Sequence, residues 1–258
     1  MPVLLLKLIV TPILVGGASL AARRWGPAIG GWLVSLPLTS GPILFFLALD
    51  DGAPFAARAA VGTLLGMGAI VAYAFGYVAA SRRGPWTAIA AASSCYGLAA
   101  LVAGQMTDLP FIVIVLVVAA AIVVALRYLP PTSGAHSRAP HPSWDLPARI
   151  GVGTGLVLGL TAVAPLLGPF TSGLFATFPV YVSVLAVFTQ FREGPEGAVD
   201  VLRGLLTGLF GTVSFYVVIH LLLESYGVAI AFGAAIVVTL TIAAIALRVV
   251  RAGVDAAA

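Results

Sequence analysis

Apolar residues fill this chain in long unbroken runs, separated by short polar or glycine- and proline-containing breaks. The runs lie near 3–21, 27–49, 56–80, 86–105, 109–128, 148–167, 169–191, 199–222 and 226–248. Each approaches the ~20 residues that a helix needs to cross the hydrocarbon core of a bilayer. A transmembrane β-strand would instead alternate apolar and polar positions over ~10 residues, and these runs do not. The pattern predicts an all-α polytopic membrane protein of nine transmembrane helices. Its weakest division lies between the fourth and fifth, where Gln105-Met106-Thr107-Asp108 interrupts the hydrophobicity.

Composition strengthens the assignment. Of 258 residues 61% are hydrophobic and 9% charged, with a mean hydropathy of +1.12. A soluble domain carries ~25% charged residues, so a water-soluble globule is excluded. The net charge of +4 comes from few charges with no basic face, which argues against disorder and against nucleic-acid binding. Cys95 is the single cysteine, so neither an intramolecular disulfide nor a cysteine metal site is available. Lys7 is the only lysine, and alanine is abundant, a composition compatible with a GC-rich bacterial genome.

The basic residues orient the spans. With nine helices and an outer N-terminus, the inner side receives Arg23, Arg24, Arg82, Arg83, Arg127, Arg138, Arg149, Arg192, Arg203, Arg248 and Arg251. Only Lys7 and Arg58 fall outside, as the positive-inside rule requires. Eight spans would scatter neighbouring arginine clusters over both faces. The expected arrangement is N-out and C-in, in an inner (cytoplasmic) membrane. Met1 to Arg24 is read as a retained span and not as a signal peptide. Its lysine lies within the apolar stretch and its arginines follow it, the reverse of a signal's order.

An internal repeat gives that odd number a meaning. Residues 26–52 and 168–194 align at a constant offset of 142, pairing Gly26 with Gly168, Pro27 with Pro169, Gly31 with Gly173, Pro37 with Pro179 and Gly52 with Gly194. After a three-residue insertion the offset becomes 145, pairing Arg58 with Arg203, Leu64 with Leu209 and Gly66 with Gly211. The expected organisation is a first repeat at 1–106, a linker helix at 107–128, a cytoplasmic loop at 129–147 and a second repeat at 148–258. One unpaired helix between two four-helix copies inverts the second copy. Such 4+1+4 inverted-topology repeats characterise secondary transporters.

Each copy carries a proline near the middle of its second span, Pro37 and Pro179. An interior proline removes a backbone hydrogen bond and clashes with the preceding turn. Within a membrane the resulting break persists only where it is buried in protein or lines a polar cavity. Hydroxyls flank both: Ser35, Thr39 and Ser40 in one copy, Thr177, Tyr181 and Ser183 in the other. The eight residues Ser35, Pro37, Thr39, Ser40, Thr177, Pro179, Tyr181 and Ser183 therefore form the expected substrate-binding set. The competing account is a pair of packing kinks whose serines and threonines bond back to the preceding turn.

Asp50, Asp51, Asp108, Glu193, Glu196, Asp200 and Glu224 all lie near predicted span ends, so a mid-membrane carboxylate relay is not expected. Half-helix N-termini and hydroxyls favour an anionic or neutral polar ligand. Arg58 and Arg203, one at each mouth, are candidates for gating or charge, with interfacial snorkelling as their alternative. The glycine pairs Gly62/Gly66, Gly155/Gly159 and Gly204/Gly208 read as close-packing positions. His136 and His141 lack a third ligand nearby, and no metal site or other cofactor is expected. His220, Gln105 and Gln190 sit near span ends, and Trp32, Trp86 and Trp144 suit interfacial belts. No nucleophile–base pair appears, so the chain is expected not to be an enzyme.

The run Gly31-Trp32-Leu33-Val34-Ser35-Leu36-Pro37, followed by a polar turn and Arg58 to Gly66, resembles the core motif of GlpM-like small membrane proteins. Ser172-Gly173-Leu174-Phe175-Ala176-Thr177-Phe178-Pro179 is similar to the same motif, although it lacks the second proline. The resemblance covers about half of each repeat and implies a fused, inverted pair of four-helix units. The expected function is a transporter or exporter of a small polar or anionic solute, working by alternating access around the two breaks. A non-transporting scaffold or accessory subunit and a lipid or polyprenyl-phosphate translocase are the alternatives. The expected partners are a small-molecule solute and the lipid bilayer, with a homodimer left open and no nucleic acid.

Overall fold

In the computed structural model residues 2–106, 109–131, 142–163 and 178–255 are described. Their elements are α1 (Pro2–Trp25), α2 (Pro27–Ser35), α3 (Ser40–Asp50), α4 (Ala53–Ala80), a 3-10 turn (Ser81–Arg83), α5 (Pro85–Ala103), α6 (Phe111–Tyr128), α7 (Asp145–Val163) and α8 (Val180–Asp255). Among the described residues there is no strand. Among the described residues five stretches are long and apolar enough to cross a membrane: Pro27–Asp50, Ala53–Arg83, Pro85–Ala103, Phe111–Tyr128 and Val180–Ala252. Against the nine expected segments, α1 and α7 are helical but outside these five. The three segments expected last fall largely within α8, whose backbone leaves helical geometry at Gly194 and Gly227. These two breaks divide α8 into limbs 180–193, 195–226 and 228–255.

The corners between helices share one chemistry. Gly52 has φ 87° and ψ 162°, and Gly194 has φ 79° and ψ −176°. Such backbone is open essentially to glycine alone. The chain turns there without a Cβ clash, and Pro54 and Pro195 then start the next helix with φ already set. Gly26, Gly84 and Gly227 also have positive φ. The polar interruption at 104–110 separates α5 from α6 outright, because α5 ends at Ala103 and α6 starts at Phe111.

Pro37 does break its span. α2 ends at Ser35, Leu36 is extended, and α3 restarts at Ser40. On the other side α8 begins directly after Pro179, while residues 164–177, which include Gly168, Pro169, Gly173 and Thr177, lie outside the described residues.

The core forms where α4 meets α5 and α8, and its largest fully buried side chains include Tyr73, Tyr77, Tyr96, Tyr216, Leu64 and Leu206. α2 makes its broadest contact with α8. Glycine allows the backbones to meet: a Cβ at Gly31 would overlap the carbonyl oxygen of Val201, and one at Gly204 that of Ala28. A Cβ at Gly208 would overlap the Ser35 hydroxyl. This is close small-residue packing of the kind that holds membrane helices together without a hydrophobic driving force. Of the glycine pairs expected to pack this way, Gly204/Gly208 does so. Gly62, Gly155 and Gly159 face open space among the described residues.

Candidate functional site at the helix breaks

The Pro37 break is closed by the limb 195–226. Proline ends the ladder of α2, so the Ser35 carbonyl cannot bond onward along the helix. It accepts instead from the Thr212 hydroxyl. The Ser35 hydroxyl donates back to the Trp32 carbonyl at 2.6 Å and is buried. The break therefore directs one freed carbonyl to the other half of the chain, where the sequence suggested an open cavity. Thr39 precedes α3 and is half-buried, with no side-chain cap bond. Ser40, the first residue of α3, is half-buried, and the fully buried Tyr216 hydroxyl has no hydrogen-bond partner among the described residues.

At Pro179, directly before the start of α8, Ser183 sits one turn on and donates to the Pro179 carbonyl at 2.8 Å. Its oxygen also accepts from the Tyr73 hydroxyl of α4, again at 2.8 Å. Tyr181 points elsewhere, its hydroxyl 3.2 Å from that of Thr11 on α1. Phe178 packs edge-on against Tyr73 and Tyr96, with ring centroids 6.0 and 5.4 Å apart. On the other side, Phe215 packs against Phe232 and Tyr216 in the same manner.

The arginines expected at the mouths have different surroundings. One Arg203 nitrogen donates to the carbonyls of Leu126, Leu129 and Pro130 at 3.0, 2.8 and 3.0 Å. Leu126 lies in the last turn of α6, whose carbonyls lack intrahelical partners, and Leu129 and Pro130 directly follow the helix. Arg203 thereby ties the end of α6 to α8, a capping geometry. Arg58 is exposed on α4.

Another charged cluster joins α1 to α7. Asp145 accepts from Arg23 at 2.7 Å and from Arg149 at 3.0 Å, and both Asp145 and Arg149 are buried. The Arg149 guanidinium also lies 5.3 Å over the Phe188 ring. Burial opposes the charged form of Asp145, but the Arg149 charge and the hydrogen bonds from Arg23 and Arg149 outweigh it. They hold the carboxyl below its ordinary value.

The remaining polar residues are placed as follows. Gln190 donates to the Ser81 carbonyl at 2.6 Å. His220 stacks on Phe111 with centroids 3.9 Å apart. Trp86 and Trp144 are exposed, whereas Trp32 is half-buried. His136 and His141 lie outside the described residues, as does Asp108. Among the described residues no group of three metal-binding side chains comes together.

Sequence reasoning missed Tyr73, Thr212 and Thr11, which reach Ser183, the Ser35 carbonyl and Tyr181 from distant helices with no local sequence signal. No family model, curated protein or solved structure matches this chain.

Proposed function

We propose that this chain is a multi-pass inner-membrane transporter or exporter of a small polar or anionic solute. It works by alternating access around Pro37 and Pro179. In this account nine spans, N-out and C-in, form two inverted four-helix units joined by α6, the arrangement that the resemblance to GlpM-like proteins also implies. The observation that supports it is that residues beside both prolines bond to a distant part of the chain. Thr212 takes the Ser35 carbonyl, and Tyr73 takes Ser183. Two halves coupled at their discontinuities can exchange positions around a fixed site, which is how inverted-repeat transporters expose a solute to each side in turn. The local chemistry is hydroxyls, aromatic edges and helix ends. It suits hydrogen-bonding or anionic solutes and offers a cation no carboxylate.

Flux into proteoliposomes, measured over panels of organic anions and neutral polar solutes, tests the proposal. At least one solute should move through the intact protein, and Thr39→Ala or Tyr181→Phe should reduce that flux severalfold. Absence of any flux sensitive to these residues sinks the transport account. One specific observation favours a second reading, a non-transporting scaffold: α2 and α8 touch backbone to backbone at Gly31 and Gly204, as a permanently packed joint would.

A further inference from the structure

At the corner between α4 and α5, charged and aromatic side chains gather where a membrane-crossing chain reaches the bilayer surface. The apolar stretch Ala53–Arg83 ends there and the next begins at Pro85. The 3-10 turn Ser81–Arg83 between them therefore belongs at the level of the lipid headgroups. Gly84, at φ 113°, reverses the chain. Ser81 is buried, and its carbonyl accepts from Gln190 at 2.6 Å, which fixes the turn against the limb 180–193. Arg82 and Arg83 are both exposed.

Beside them two large rings from distant parts of the chain meet at the surface. Trp86, in the first turn of α5, packs edge-on against Phe191, near the end of the limb 180–193, with centroids 5.9 Å apart and planes at 69°. Both rings stay open to their surroundings, at 70% and 58% exposure. A pair that joins its rings without covering them presents a broad amphipathic edge, which suits the headgroup level of a bilayer.

The charge beside this pair is unbalanced. Among the described residues the ion pairs are the two on Asp145, so neither Arg82 nor Arg83 makes one. The 3-10 turn and the first turn of α5 contain no acid. On the facing element Glu193 is half-buried and already has a partner, and Glu196 is exposed beyond the Gly194 corner. Guanidinium forks match phosphate oxygens and hold them bidentately. A zwitterionic headgroup brings a cation with its phosphate and leaves the arginine charge uncancelled, whereas an anionic headgroup cancels it.

We propose that Arg82, Arg83, Trp86 and Phe191 form a binding site for an anionic phospholipid. The arginines take the phosphate, and the ring pair lies along the glycerol and the first acyl carbons. The bound lipid bridges the α4–α5 corner and the limb 180–193. The site includes no residue of the helix breaks and holds whether or not the chain transports a solute.

Tryptophan quenching by brominated lipids tests this in the full-length protein. Vesicles of phosphatidylcholine carry a fraction of either dibrominated phosphatidylglycerol or dibrominated phosphatidylcholine. The Trp86 share of the quenching is the difference between a chain and its Trp86→Phe counterpart, which cancels the signal of Trp25, Trp32 and Trp144. In the wild type that share should favour phosphatidylglycerol at least fivefold, and Arg82→Ala or Arg83→Ala should each lower the preference about fivefold, the contribution of one arginine near anionic lipid. Raising salt from ~0.1 M to ~1 M should weaken the wild-type preference, because the screening length contracts from ~10 Å to ~3 Å. That arm requires no arginine variant to fold. Arg248→Ala, exposed but outside this corner, should leave the preference unchanged. Equal quenching by the two lipids in the wild type, or a preference that ignores salt, overturns the proposal. An equal loss in Arg248→Ala and Arg83→Ala also overturns it, since diffuse surface charge would then account for the preference.

Discussion

At the scale of single residues, Asp145 is the clearest case of a side chain whose partners decide its value. It stands between Arg23 and Arg149, and its loss would leave buried Arg149 without its carboxylate. Removing one member of a buried ion pair costs more than the pair contributes, because a charge remains out of water. Asp145→Asn should therefore destabilise the protein in detergent by about 2–3 kcal/mol, read as a lower thermal unfolding midpoint. The pH dependence has a definite sign. The folded carboxyl is held below its ordinary value, so its contribution is complete above the unfolded value of about 4. It disappears only as pH falls through the lower, folded value. The wild-type midpoint should exceed that of the Asn variant by a constant margin from pH 7 to 5, and the two should converge in stronger acid. A margin already shrinking between pH 7 and 6 would contradict this. The i,i+4 spacing of Asp145 and Arg149 is legible in the sequence, but Arg23 lies 122 residues away. The same distance problem hides Tyr73, which lies 110 residues from Ser183. A hydroxyl beside a proline announces itself locally, whereas the phenol that meets it is known only once the halves are packed.

Helices and their corners were easier to foresee, for a physical reason. Apolar length, a glycine at each turn and a proline at the next helix start act within a few residues. The division at 104–110, the break at Pro37 and the corners at Gly52 and Gly194 were therefore all visible in the pattern. Which glycines pack was not, because Gly155/Gly159 and Gly204/Gly208 have the same spacing and differ only in what lies opposite. Gly204→Ala and Gly31→Ala would each drive a Cβ into a carbonyl of the facing helix. Separating those backbones should cost about 2 kcal/mol, or roughly 5 °C in unfolding midpoint for a chain of this size. Gly155→Ala and Gly62→Ala meet nothing within 4 Å among the described residues. They should be neutral or slightly stabilising, since alanine favours helix over glycine by up to ~1 kcal/mol. Thermal unfolding in detergent separates the pairs. Equal losses at all four positions would mean that the α2–α8 joint is not the close contact it is here.

For the whole molecule, the contacts sort the chain ends independently of the charge pattern. Gln190 joins Ser81, Arg203 joins the end of α6 at Leu129 and Pro130, and Arg23 joins Asp145 at the start of α7. Val250 clusters with Ala21, Ala28 and Ile29, which brings the end of α8 to the same region. Arg82, Arg83, Arg127, Arg192 and Arg248 lie within a few residues of these junctions. His220, Ala57 and Phe111 meet elsewhere, close in sequence to exposed Arg58. Arg82, Arg83, Arg127, Arg192 and Arg248, which the charge rule assigns to one side, are thus gathered by packing; Arg138 of the same set lies outside the described residues. If this shared end is cytoplasmic, as the positive-inside rule requires, single cysteines in a Cys95→Ala background will report it. Arg58→Cys should react with an impermeant maleimide in intact cells. Arg83→Cys and Ala252→Cys should react only after permeabilisation. Labelling of Arg83→Cys from outside would reverse the orientation. Labelling of Arg83→Cys and Ala252→Cys from opposite sides would break the spatial grouping itself, and with it the two-ended arrangement on which alternating access depends.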